Sequence, residues 1–244
     1  MIRWVYAFVD RPHDGFTRAA EFWTAVTGTA LSPRRGADGE FATFLPEEPG
    51  TDAFLKLQGV GEPVRGAHLD LCTDDVPGLA DRATALGATV TADYGTLVVF
   101  ASPAGLPFCV VAWQGEHRRP GVFRETRADQ LAIDVAADLF EEETRFWAAL
   151  TDWPLYTGSQ PEFRVLQSPP ELPVRLLLHR LDEPRPVGAH LDLACTDVAA
   201  TRAAHRELGA QVLAEHPRWT AMRDPAGGTY CLTGRDPRTG RVPV

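Results

Sequence analysis

The chain states one plan twice. Gly66-Ala67-His68-Leu69-Asp70-Leu71 returns as Gly188-Ala189-His190-Leu191-Asp192-Leu193. Leu86-Gly87-Ala88 returns as Leu208-Gly209-Ala210, Ser102-Pro103-Ala104-Gly105 as Asp224-Pro225-Ala226-Gly227, and Phe108-Cys109 as Tyr230-Cys231. The copies lie about 122 residues apart, far beyond the roughly 20–50-residue period of a solenoid. The chain is therefore a duplicated domain. Its 244 residues suit two domains of ordinary size, with residues 1–113 as the first, 114–128 as linker and 129–244 as the second.

Composition limits what the two domains can do. The formal net charge is -9, whereas a nucleic-acid binder needs a clustered basic face. No apolar run approaches the roughly 18–20 residues of a membrane span. Met1 to Tyr6 begins a strand at once, without the apolar stretch of a secretory leader. The expectation is a cytoplasmic protein, monomer or homodimer, with a small-molecule ligand and no nucleic-acid or membrane partner. The four cysteines, Cys72, Cys109, Cys195 and Cys231, form no CxxC pair and sit in apolar runs. They read as buried core thiols.

Each half divides again. Trp4 to Val9 is rich in β-branched and aromatic residues and predicts a strand. Asp10 to Gly15 reads as a turn, and Phe16 to Val26 has helical apolar spacing closed by Gly28. Strands follow at 41–45 and 53–57. The plan then restarts with strand 68–72, a helix at 76–86 headed by Asp74, and strands at Val90, 97–100 and 107–112. Half two repeats this order from Leu131 to Thr233. The tail 234–244, polar with Pro and Gly, reads as loose.

Strand alternation sorts the repeated motif. His68 and Asp70 share one face and Leu69 and Leu71 the other; His190 and Asp192 follow suit. The leucines suit a face under helices, which leaves the imidazoles and carboxylates on the opposite face. Tyr6 and Phe8 share a face of the first strand, and Asp10 and Asp134 precede their Phe-Trp pairs by the same spacing. Gln130, Asp134 and Trp219 are the corresponding candidates in half two. His68, His190, Asp70 and Asp192 could form His–Asp acid/base pairs or a non-standard metal site. The plainer alternative is that the carboxylates anchor backbone or arginine groups while the histidines fill a wall. His179 sits on a strand whose counterpart is near Gln58; His13, His117, His205 and His216 receive no role. No nucleophile elbow, phosphate loop, dinucleotide fingerprint or HExxH motif is present.

These marks together resemble the vicinal oxygen chelate superfamily of glyoxalases, bleomycin-resistance proteins and extradiol dioxygenases, in its two-domain glyoxalase-like type. They are the His-bearing strand, the Asp-headed helix ending in Leu-Gly-Ala, the Pro-x-Gly turns at Pro103 and Pro225, and the Phe22-Trp23 and Phe146-Trp147 pairs. The resemblance implies an α+β fold of tandem paired βαβββ modules, forming two open cup-shaped sheets with helices outside. Metal-dependent relatives place one ligand on a first strand, one at the His68 or His190 position and a Glu on the last strand. Here the last position falls on Cys109 and Cys231, and the first near Tyr6 to Phe8 and Gln130 to Ala132. The usual triad is broken in both halves. The expectation is a protein that holds a small organic molecule in a cup, using Tyr6, Phe8, Asp10, Gln130, Asp134 and Trp219, with no cofactor. A divalent metal at His68 or His190 is the weaker alternative. The competing reading is an enzyme of lyase, isomerase or dioxygenase type with His68 or His190 as base or ligand. A third is a pseudo-enzyme that partners another chain.

Overall fold

Helices in this chain are bracketed by local signals, and the strands between them have no choice but to pair. In the computed structural model, which describes residues 1–158 and 160–242, half one runs β1 (Ile2–Pro12), α1 (Phe16–Thr27), β2 (Thr29–Leu31), β3 (Phe41–Pro46), β4 (Leu55–Val60), β5 (Ala67–Thr73), α2 (Val76–Ala85), β6 (Thr89–Asp93), β7 (Leu97–Ala101) and β8 (Pro107–Ala112). Half two repeats it as β9 (Thr126–Ala136), α3 (Phe140–Thr151), β10 (Leu155–Thr157), β11 (Phe163–Leu166), β12 (Arg175–Leu181), β13 (Gly188–Cys195), α4 (Val198–Glu207), β14 (Gln211–Glu215), β15 (Trp219–Arg223) and β16 (Thr229–Thr233). Helix α1 stops at Gly28, which takes the left-handed conformation at φ 63°. Asp197 caps α4 through Ala200 N. The cap of α2 is Asp75, which accepts from Gly78 N; Asp74, one residue early, instead pairs with Arg3.

Each half is one open mixed sheet of eight strands, ordered β2-β3-β4-β1-β5-β8-β7-β6 and β10-β11-β12-β9-β13-β16-β15-β14. At the centre β1 runs antiparallel to β5, and each is flanked by a parallel partner, β4 and β8. The paired βαβββ plan holds in both halves. Several boundaries differ from the sequence reading. Strand β1 runs on through Asp10, Arg11 and Pro12, because these residues pair with Gln58, Gly59 and Val60. Strand β9 begins at Thr126, inside the segment read as linker, because Thr126 pairs with Cys195. The tail is not loose: Arg235 is buried in a bidentate pair with Asp129, at 2.7 and 2.8 Å. Pro243 and Val244 lie outside the described residues. No helix among the described residues is long and apolar enough to cross a membrane.

The helices pack across the boundary between the halves. On α1, Phe22 and Trp23 lie 5.6 and 5.4 Å from the Tyr230 ring on β16. Symmetrically, Phe146 and Trp147 on α3 lie 5.7 and 5.1 Å from Phe108 on β8. Arg11 donates to Asp224 at 2.7 Å, both side chains are buried, and the Trp23 indole donates to the same carboxylate at 3.0 Å. On the pseudo-symmetric side the acid has moved to the helix. Glu143 of α3 accepts from Ala104 N and Trp147 Nε1, and Ser102 stands where the other turn has Asp224. Strands β5 and β13 meet at their starts, with Ala189 N donating to Arg65 O at 2.8 Å. A Cβ on Gly66 would sit 2.4 Å from Ala189 O, so only glycine permits this approach.

Two outcomes follow from these contacts. Asp224→Ala strands the buried Arg11 charge and should lower unfolding free energy by about 3–5 kcal/mol in denaturant titration, with part of the loss recovered by adding Arg11→Met. His205, buried against Tyr230 Oη at 2.9 Å, is held by burial down to about 4 from the ordinary 6.5. A neutral imidazole is thus favoured by the fold, and its stabilisation is complete above the unfolded value and lost as pH falls from 6.5 toward about 4. Thermal melts should show that acid loss, and His205→Phe should flatten it.

Candidate functional site

The motif strand sets the site by its alternation. Leu69, Leu71, Leu191 and Leu193 are buried beneath the helices, and His68, Asp70, His190 and Asp192 project into the concave faces. The partners come from two neighbouring strands. Asp10 on β1 accepts from His68 Nδ1 at 2.7 Å. The other ring nitrogen, Nε2, lies 3.9 Å from Asp70 Oδ1. In half two, His190 Nδ1 is 3.5 Å from Asp134 Oδ2 and Nε2 is 3.3 Å from Asp192 Oδ1. The parallel strands bring Cys109 opposite Asp70 and Cys231 opposite Asp192. The Cys231 thiol lies 3.4 Å from His190 Nε2. All four thiols are buried, as the sequence leads one to expect; what the sequence does not show is which face each one takes. Cys72 and Cys195 are core residues, but on β8 and β16 alternation turns Cys109 and Cys231 to the cup side while Phe108 and Tyr230 face the helices.

The two cups differ in what stands beside this cluster. Strand register makes Phe8 the neighbour of His68 and Ala132 the neighbour of His190. It likewise matches Lys56 with Leu177 and Tyr6 with Gln130. In the first cup Phe8 stacks on His68 at 4.2 Å, and the Lys56 ammonium sits 3.4 Å over the Tyr6 ring and 3.8 Å from Asp70. The Tyr6 hydroxyl donates to Glu116. These side chains cover the cluster of the first cup, where Phe8, His68 and Asp70 are all buried. Replacing Phe8 by Ala132 and Lys56 by Leu177 empties the second, where a cavity of about 710 Å³ opens over His190, Asp192 and Cys231.

The cavity has a basic and aromatic wall. Arg175 donates to Gln130 Oε1 at 2.7 Å, and Gln130 in turn donates to Asp192. Asp134 is held by His179 at 2.9 Å and Arg185 at 3.0 Å. Phe163 meets His179 and Trp219, and His216 stacks on Trp219 at 4.3 Å. Arg218 also lines the space and makes no side-chain ion pair among the described residues. The structure therefore brings Gln130, Asp134, His190, Asp192 and Trp219 together in one cup. It places Tyr6, Phe8, Asp10, His68 and Asp70 in the other. His13 and His117 lie on the surface away from both.

Four cavity arginines and Phe163 escaped the sequence reading. Arg175 shares strand parity with Leu177 and His179 and could have been found that way. Arg235 was hidden in the tail, and Arg218 and His216 come from the β14–β15 hairpin, where no period applies.

Electrostatics follow the burial. Burial opposes charge on His68, yet Asp10 and Asp70 outweigh it and raise its pKa. Burial pushes Asp70 up and Lys56 down against their mutual attraction. Burial also disfavours the His190 imidazolium, but contact with Cys231 and hydrogen bonds to Asp134 and Asp192 hold its pKa well above the ordinary value. Burial raises both the Cys109 and Cys231 thiols. Asp134 is held well below the usual carboxylate range because His179 and His190 overcome its burial. Burial and Arg235 lower Arg175 to about 10, so it is cationic at neutral pH.

Whether a divalent ion fits is a question of donors. The atoms offered by His68, Asp70 and Cys109, and by His190, Asp192 and Cys231, lie within 4.8 Å of one another. Asp70 Oδ1 and Asp192 Oδ1 are buried without a hydrogen-bond partner, an arrangement that costs free energy unless something else binds the oxygen. The donor sets fit a divalent ion, although they are not the triad of the resemblance.

Comparison with known proteins agrees with this geometry. Compared with curated protein sequences, the chain has no match. Among solved structures, it is similar to a variant of 4-hydroxymandelate synthase from Streptomyces coelicolor, at 14% identity and TM-score 0.60 over 97% of this chain and 95% of that one. It is similar to 2,2',3-trihydroxybiphenyl 1,2-dioxygenase from Sphingomonas wittichii at 16% identity and TM-score 0.63, over 96% and 90%. Homoprotocatechuate 2,3-dioxygenase from Brevibacterium fuscum, in a variant form, matches at 13% identity and TM-score 0.62, over 97% and 72%. At such identities these likenesses establish the fold alone. The glyoxalase-like domain family matches residues 7–111 and again residues 130–233. With both halves matched and the paired-module cups on view, the chain belongs to the glyoxalase-like family of the vicinal oxygen chelate superfamily, one domain to each half.

Proposed function

We propose that the protein binds a small organic anion with a flat, aromatic body in the cup of its second half. The single observation that carries this reading is the 710 Å³ cavity, within the roughly 300–1,000 Å³ of small-molecule sites, set in a wall of Arg175, Arg185, Arg218 and Arg235. The chain as a whole has a net charge of -9, so this concentration of cations runs against the average surface. Asp134, Asp192 and Glu162 line the same space, so the wall is mixed in sign, and what draws an anion is a cation left without an acidic partner. Arg218 is the arginine best placed to meet a carboxylate, since Arg235 is committed to Asp129 and Arg185 to Asp134. Trp219 and Phe163 offer ring faces and edges on which a flat ligand stacks. The synthase and the two dioxygenases of like fold are no guide to the ligand; the wall of this cup is.

A second reading, that the protein is an enzyme, is favoured by the floor of the same cavity. Asp134 fixes one ring nitrogen of His190 and turns Nε2 toward the space where a ligand would lie. Because its pKa is held well above the ordinary value, the oriented ring starts as an imidazolium, which can give a proton to a ligand carbon or oxygen and take one back from elsewhere on it. That is the proton chemistry a lyase or isomerase needs. Under this reading His190→Asn would abolish turnover and leave ligand affinity within a few-fold.

Calorimetry with a panel of aromatic carboxylates, paired with neutral amides of the same shape, tests the binding proposal. The carboxylates should bind and the amides should not. Arg218→Ala should weaken binding about tenfold or more, the scale of one charge-assisted hydrogen bond, and Trp219→Ala should weaken it and remove the fluorescence change. Binding that ignores both variants but is lost in Phe8→Ala or Lys56→Ala would place the site in the other cup and end this reading.

A further inference from the structure

A second cavity, of about 450 Å³, lies among the loop at 167–174, the start of β9 and the tail at 239–241, and shares Arg175 and Tyr156 with the cup. Four arginines line it, Arg119, Arg127, Arg175 and Arg241, against a single acid, Asp129. That acid is already spent, because Arg235 takes both of its oxygens at 2.7 and 2.8 Å. Asp236 of the tail turns one oxygen to the backbone N–H groups of Arg238 and Thr239. None of the four arginines makes an ion pair among the described residues. Arg175 donates to the neutral amide oxygens of Gln130 and Gln167. Arg119 and Arg127 converge on one carbonyl, that of Arg238, at 3.5 and 3.3 Å. The Nε of Arg127 is buried with no hydrogen-bond partner, a costly state for a charged donor unless an acceptor arrives. Burial and the like charge of Arg119 bring Arg127 down to about 10, although Asp129 opposes them, so it is cationic at neutral pH.

The first half supplies an internal comparison. Strand register matches Arg127 with Trp4 and Arg175 with Phe54, and both aromatic side chains are buried. Strand β9 also holds one residue more than β1 at this point. Gln130 stands opposite Asp192 and Ala128 opposite Leu193, with Asp129 extra between them. Tyr6 and Val5 face Asp70 and Leu71 without a break. An inserted residue re-aims its side chain, and here it delivers Asp129 to Arg235. Where half one packs two aromatics, half two has two cations on a cavity wall and an acid withdrawn from them.

We propose that this cavity is a binding site for a phosphoryl group, either free phosphate or the monoester of a small organic body, held by Arg119, Arg127, Arg175 and Arg241. Guanidinium forks match the oxygens of a phosphoryl group in pairs. A dianion with several acceptor oxygens answers more of the unpaired cations than one carboxylate can. The volume leaves room beyond the phosphoryl group, within the range of small-molecule sites. Pro169, Pro170 and Pro173 stiffen the loop on one side of it.

The test uses the full chain and calorimetric titration with inorganic phosphate and with glycerol phosphate, at an ionic strength fixed with sodium chloride. Neither probe carries an aromatic body, so the result does not depend on the ligand proposed for the cup. Each should bind at one site. Tighter binding of glycerol phosphate would name an ester as the ligand and equal affinities would name free phosphate, either result upholding the site. Arg127→Gln and Arg241→Gln should each weaken binding about tenfold or more, the scale of one charge-assisted hydrogen bond. In the unmutated chain, phosphate should protect Arg127 and Arg241 from phenylglyoxal in peptide mapping, a readout that needs no variant to fold. Failure of both probes to bind at millimolar concentration, or affinity unchanged in both variants, overturns the proposal. So does affinity that falls in Arg218→Ala and not in Arg127→Gln, which would place the anion in the cup.

Discussion

Everything in this molecule depends on the antiparallel pairing of the first strand of each module pair with the motif strand, β1 with β5 and β9 with β13. That pairing fixes which face is which. A shift of one residue would turn the histidines under the helices and the leucines into the cups. The helices enforce the register, because Leu69, Leu71, Leu191 and Leu193 have only one apolar layer to enter. Once they are buried, His68 meets Asp10, His190 meets Asp134, and the parallel last strands deliver a thiol to each. A buried imidazole between two carboxylates is costly unless its neighbours are placed to satisfy it, and the sheet places them.

Duplication then allowed the halves to diverge without disturbing that frame. Three differences on two strands account for the contrast between them: Phe8 against Ala132, Lys56 against Leu177, and Tyr6 against Gln130. In the first cup an aromatic ring covers the imidazole and an ammonium answers the carboxylate. In the second the ring is gone and the ammonium is gone, and the volume they held is cavity. The packing between the halves diverged in the same way. One seam buries Arg11 with Asp224, and the other carries its acid on α3 as Glu143 and leaves Ser102 in the turn. Each half completes the other's core, since α1 lies on β16 and α3 on β8.

Much of this was legible in the residues. The repeat announced two domains, the alternation of His-Leu-Asp-Leu assigned the faces, and the resemblance supplied the paired modules and cups. The Cys109 and Cys231 pairing with Asp70 and Asp192 was not legible, because a thiol in an apolar run looks the same whether it faces helix or cup. Only the parallel register of β5 with β8 and of β13 with β16 distinguishes them. The divergence of the cups was hidden for a related reason. Phe8 and Ala132 are equally ordinary on a strand, and their importance appears only when register sets each beside an imidazole. Arg235 was missed because Pro and Gly in a tail suggest looseness, while the buried pair with Asp129 holds it. Asp10 was read as a turn residue because Pro12 and Gly15 follow it; pairing with Gln58 extends the strand through it.

The central claim is that one cup receives a ligand and that in the other the cluster is covered by its own side chains. A crystal of the protein soaked with an iodinated benzoate tests it directly, because the anomalous signal of iodine reports position without reference to any expected pose. The account predicts an iodine peak in the second cup, against Trp219 and Phe163, with the carboxylate toward Arg218. A peak in the first cup beside Phe8 and Lys56, or sites confined to the outer surface, would contradict it.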